Sequence, residues 1–126
     1  MRKESEMIKV YQIQLTDSEV DALNRGEVFE KGKAFFSRMF DDNLKPEIFQ
    51  FYTHVANVDV DGFEQAFRAM NLWEDDENFD RIEKLTDCYS MSVGDIVADH
   101  DGTLYRCASF GFKPILRSVS DVLAEI

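Results

Sequence analysis

The chain has 126 residues and a formal net charge of −11, from 25 acidic against 14 basic side chains. Its length fits one domain with its own core. The negative field disfavours direct contact with nucleic-acid phosphates or an anionic membrane surface, and suits a partner with a basic surface. No run nears the roughly 20 apolar residues that a membrane-spanning helix needs.

Hydrophobic residues make up 44% of the chain, and eleven of its sixteen aromatic residues are Phe, which has no polar handle and belongs in a core. Cys88 and Cys107, with no apolar leader over Met1–Glu6, predict a cytoplasmic chain with reduced thiols. Residues 1–7 read as a flexible start, 8–117 as one α+β domain, and 118–126 as a short helical or flexible tail.

Ile8–Leu15 alternates and is rich in β-branched and aromatic residues, so it predicts a strand. Ile8, Val10, Gln12 and Gln14 share one face. Thr16-Asp17-Ser18-Glu19 is a capping box that starts a helix running to about Arg25, with Gly26 as its stop. Glu30–Phe40 predicts a second helix with Phe36, Met39 and Phe40 on one face. Pro46 suits the first turn of a short helical piece.

Gln50–Val60 predicts a central strand, with Tyr52, His54, Ala56, Val58 and Val60 on one face. Asp61 reads as the N-cap of a helix in which Phe63, Ala66, Phe67 and Met70 form an apolar stripe. Phe79, Ile82 and Leu85 suggest a further short helix over Asp80–Leu85. Asp95–Ala98 and Thr103–Phe110 form a hairpin around Asp101-Gly102, the strongest turn signal in the chain. Gly111 lets the second strand bend and Pro114 ends ladder donation. Together these elements predict an α+β fold. Its small mixed or antiparallel sheet ends in a C-terminal β-hairpin, with amphipathic helices (the two over 30–40 and 63–70) on one face.

One stretch carries a resemblance. Ser90-Met91-Ser92-Val93-Gly94-Asp95-Ile96-Val97, Asp101-Gly102, Tyr105 and Ser109-Phe110-Gly111-Phe112-Lys113, with Ile115, follow one another in order. Over residues 88–115 the chain resembles the YodL-like domain family of bacterial chromosomes, plasmids, integrative elements and phages. Arg106-Cys107-Ala108 departs from that pattern, where a second aromatic and an acidic residue are usual. The family that the chain resembles has no established enzymatic activity. The resemblance implies an accessory protein of a mobile element or phage that helps the element survive host defences. With the acidic charge, small size and sparse catalytic spacing, the expectation is a non-enzymatic inhibitor of a host defence or nucleic-acid-handling protein, of anti-restriction or anti-CRISPR type.

Catalytic signals are sparse. Cys88, Cys107, His54 and His100 lack metal-ligand spacing, so no metal and no cofactor is expected. Cys107 reads as a small buried hydrophobe, and His54 as a strand histidine with one hydrogen bond. Asp95, Asp99 and Asp101 suit a strand start and a turn, and a convergent carboxylate pair is left for the tertiary structure to decide. Trp73 beside Glu74, Asp75, Asp76 and Glu77 is the strongest partner-binding candidate, an aromatic anchor next to negative charge. The competing account is a helix end packed on the core and a solvated loop. Arg106, Phe110 and Phe112 form an alternative hairpin surface for a small ligand or for base stacking, with Lys113 and Arg117 nearby. Core packing is the simpler role for the Phe110-Gly111-Phe112 rings. The sequence leaves the oligomeric state open.

Overall fold

The computed structural model describes residues 6–39, 46–72 and 80–118. The elements run β1 (Ile8–Ile13), α1 (Asp17–Asn24), α2 (Glu30–Ser37), a 3-10 helix (Pro46–Phe51), β2 (Tyr52–Val58), α3 (Phe63–Asn71), β3 (Ile82–Lys84), β4 (Ile96–Ala98), β5 (Thr103–Cys107) and β6 (Phe112–Ser118). The six strands form one open sheet in the order β3-β2-β1-β4-β5-β6. Every neighbouring pair is antiparallel. The fold is therefore α+β, with strands at its C-terminal end.

The sheet is packed on both faces. On one, Ile8 and Val10 of β1, Ala56 and Val58 of β2, and Val97 of β4 meet Ala66, Ala69 and Met70 of α3. Phe63 opens α3 and lies against Tyr105 and Phe112, with ring centroids 4.7 and 5.2 Å apart. On the other face, Ile96, Ala98 and Leu104 pack with Phe49 of the 3-10 helix, flanked by Tyr11 and Tyr52. Opposed residues of an antiparallel pair share a face. Arg106, opposite Ile96, therefore lies on the Phe49 side, and Cys107, opposite Phe112, on the α3 side.

Local chemistry explains most element ends. The α1 capping box forms as the sequence predicts: the Glu19 N–H donates to Thr16 Oγ1 at 3.2 Å, and the Thr16 N–H to Glu19 Oε1 at 2.9 Å. Lys31 Nζ reaches the same Glu19 oxygen at 2.9 Å and ties α2 to α1. The β4–β5 hairpin closes through Asp99, whose Oδ1 accepts from the Asp101 and Thr103 N–H groups.

Several expectations change. Residues 82–84 are a strand, because β2 has an open edge and Ala56, Asn57 and Val58 pair with Lys84, Glu83 and Ile82. The three-residue apolar spacing of that stretch mimics a helix, but backbone donors on β2 decide the outcome. The β2 faces are split by a bulge: Val10 pairs with Ala56 but Tyr11 with His54, so Val55 is the extra residue. Tyr52 and His54 accordingly face away from Ala56 and Val58. Gly62, with no side-chain cap, occupies the α3 N-cap expected of Asp61. Phe67, expected in the buried stripe, is 40% exposed. The strand predicted to reach Phe110 ends at Cys107, and Pro114 lies within the edge strand β6, opposite Tyr105. Edge positions tolerate a missing N–H donor. The two helices do not share a face: α3 covers one, while the end of α2 reaches Arg106 on the other. The helix predicted past Ser37 to Phe40 ends at Ser37. Trp73 to Glu77 and the tail after Ser118 lie outside the described residues.

Candidate functional site

Two places in the fold concentrate chemistry. The first is an interior polar cluster where β1, the end of α2 and the segment before β4 meet. Gln12 of β1 acts as a side-chain peptide group. Its Nε2 donates to the Tyr89 carbonyl and its Oε1 accepts from the Tyr89 N–H, each at 3.0 Å. The same Nε2 is 3.0 Å from Asp95 Oδ2, which also accepts from the Ser92 N–H at 3.0 Å. These bonds lash the 89–95 segment to the central strand.

Beside them, the Arg106 guanidinium donates to the Arg38 carbonyl from Nε at 3.2 Å and from an Nη at 2.6 Å. Arg38 in turn donates to the Phe35 carbonyl at 2.7 Å and lies 4.2 Å over the Phe35 ring. Its Nε is buried and makes no hydrogen bond. Gly94 makes this approach possible: at φ +94 its backbone passes so close that a Cβ would lie 2.5 Å from Arg38 Cγ. The Tyr52 hydroxyl donates to the Gly94 carbonyl.

Burial sets the titration here. It pushes the Asp95 carboxyl up to about 6, against the opposing effects of the Ser92 and Gln12 hydrogen bonds and the Arg38 charge. Burial, then the Asp95 charge, pushes the Cys107 thiol up to about 11. Burial also raises the Tyr52 hydroxyl and the Cys88 thiol. A protonated thiol is a poor nucleophile, and Asp95 is sealed from solvent. His54 Nε2 is 2.8 Å from Asn57 Oδ1, and its ring stacks on Tyr11 at 5.0 Å. Among the described residues, no three His, Cys, Asp or Glu side chains gather to hold a metal ion. The cluster ties β1, the end of α2 and the 89–95 segment together, with Gln12, Arg38, Asp95 and Arg106 buried.

The second place is open. A cleft of about 350 Å³ lies between α3 and the β5–β6 turn, lined by Glu64, Phe67 and Arg68 on one side and Cys107, Ser109 and Phe112 on the other. That volume is at the low end for small-molecule sites. The turn is tight: the Ala108 N–H donates to the Gly111 carbonyl at 2.9 Å, and Gly111 takes φ +75. Phe110 stands at its tip, 96% exposed.

The hairpin surface expected of Arg106, Phe110 and Phe112 is thus divided. Phe110 is fully outside, against the expectation of core packing, because the turn lifts it off both sheet faces. Phe112 is half-buried on the cleft wall. Arg106 is 2% exposed and lies on the opposite face, where it holds the Arg38 carbonyl. The turn separates the three residues: β5 ends at Cys107, and Phe112 of β6 pairs with Cys107, which faces away from Arg106. Gln12, Arg38 and Asp95 were not marked as a unit by the sequence. Polar residues interrupting apolar faces, Gln12 in β1 and Arg106 in β5, were the available signal. Comparison with protein-family models, with curated proteins and with solved structures finds no match. No helix among the described residues is long and apolar enough to cross a membrane.

Proposed function

We propose that this protein is a non-enzymatic acidic accessory protein of a mobile element or phage, a member of the YodL-like family. It binds and inhibits a host defence or nucleic-acid-handling protein through a basic surface of that host protein, in the cytoplasm. The observation that carries this reading is the exposed acids. Arg38 and Arg106 are withdrawn into the interior, 6% and 2% exposed, while Asp17, Asp21, Glu64, Asp80, Asp87 and Asp101 remain at the surface. Burial removes Arg106 as a phosphate contact, which leaves the exposed Lys113 to serve a nucleic-acid reading of the hairpin. Outward acids on a chain of charge −11 favour basic partners by long-range attraction. Trp73 with Glu74, Asp75, Asp76 and Glu77 is the proposed contact segment.

The test is functional. Expression of the chain in hosts carrying a restriction or CRISPR system is expected to raise phage plating or plasmid transfer, and Trp73→Ala with the four acids neutralised is expected to abolish the gain. No protection against any such system would sink the proposal. The open cleft beside Phe110 supports a second reading, a small-ligand or single-stranded nucleic-acid module. A gel shift with single-stranded RNA or DNA that is lost on Phe110→Ala would favour it over the first.

A further inference from the structure

The Phe110 ring stands wholly exposed on the turn. Its neighbours Ser109 and Gly111 line the cleft, but Phe110 does not. The molecule therefore carries an apolar knob and, immediately beside it, a cleft of mixed lining, Phe67, Cys107 and Phe112 alongside Glu64, Arg68 and Ser109, that its own knob does not fill. The outward row of α3 adds opposite charges one helical turn apart, Glu64 and Arg68, with half-exposed Phe67 beside them. Among the described residues neither Glu64 nor Arg68 is ion-paired.

An isologous interface demands a single patch that contains both halves of every contact, since each residue meets its counterpart's partner across the two-fold axis. A knob beside a hole, and an anion beside a cation, satisfy that demand. We propose that a second copy of this chain occupies the cleft. The two α3 helices run antiparallel across a two-fold axis, Phe110 of each protomer enters the cleft of the other, and Glu64 of each faces Arg68 of the other. The dimer presents two copies of the acidic surface side by side. This pairing does not depend on the host partner proposed above.

Salt separates this interface from docking on a basic protein. Two copies of charge −11 repel one another at long range, and salt screens that repulsion while the apolar contact persists. Self-association therefore tightens as salt is raised, whereas attachment to a basic partner weakens. The experiment is sedimentation equilibrium of the purified chain at low and high salt. Wild type is expected to dimerise, more tightly at high salt. Phe110→Ala is expected to weaken the dimer by about 10-fold or more, as loss of a central aromatic anchor does. Glu64→Arg and Arg68→Glu are each expected to weaken it, and the double variant, which exchanges the charges, is expected to restore it. All three positions are exposed, so circular dichroism should show the fold retained. A monomer at every concentration and salt would overturn the proposal. So would a dimer indifferent to Phe110→Ala, or a double variant no better than the singles. A monomer that still protects in the plating assay leaves the host-binding reading standing.

Discussion

Arg106 and Phe110 lie four residues apart and end in opposite environments. A guanidinium is buried on the Phe49 side of the sheet while a phenyl ring stands in water. The interior cluster puts polar groups where hydration is lost, so all but Arg38 Nε are matched by hydrogen bonds. Gln12, Asp95 and Arg106 are matched largely by backbone groups of the 89–95 segment and of Arg38. The β5–β6 turn does the reverse and exposes an apolar ring that packs on neither face. The first arrangement serves the fold, since removing any member strands another. The second contributes little to the fold, and an exposed ring held by a tight turn is suited to contact with another molecule.

Mutations can break this contrast in order of effect. Gly94→Ala should be the most damaging, with a loss of at least ~3 kcal/mol. It combines a strained φ of +94 with a clash against Arg38 atoms at 2.5 to 2.8 Å, and denaturant melts will show it. Gln12→Ala comes next. It removes both bonds to the Tyr89 backbone and one to Asp95, at a cost of ~2–3 kcal/mol. Hydrogen exchange at the Tyr89 amide is expected to accelerate with it.

The Asp95 carboxyl tests the cluster through pH. Its folded-state value is raised to about 6, above the ordinary carboxylate value, so the folded form binds the proton more tightly than the unfolded chain does. The associated stability is present below about pH 4 and is lost as pH rises through about 6. Wild type should therefore gain on the order of 2 kcal/mol between pH 7 and pH 4 relative to Asp95→Asn, which has no such titration. Parallel urea melts of the two proteins across that range measure the difference, and identical pH profiles would refute the role of Asp95. At the other end of the contrast, Phe110→Ala should change stability by no more than about 0.5 kcal/mol, a surface value, while altering association.

Local signals in the sequence carried much of the architecture. The Thr16–Glu19 capping box, the Gly26 stop, the Asp101-Gly102 turn and the alternation of Ile8–Ile13 act within a few residues, so they were legible without a fold. The bulge at Val55 was not, because it depends on how β2 meets β1. The strand at Ile82–Lys84 was hidden for a related reason: three residues carry too little periodicity to outweigh an apparent helical spacing. Of the candidate site, Phe112 and Phe110 could be marked as rings, but their burial depended on where β5 ended.

By itself the sequence determined an acidic α+β domain, the positions of its main turns and caps, and thiols without catalytic spacing. Only the tertiary structure decided that Arg106 goes inward and Phe110 outward. Side-chain direction in a strand follows pairing register and the point at which pairing stops. Both are set by distant strands, here by β4 and β6 on either side of β5. Likewise the alliance of Gln12 with Tyr89 and Asp95 spans more than 70 residues, a distance across which no local pattern reports.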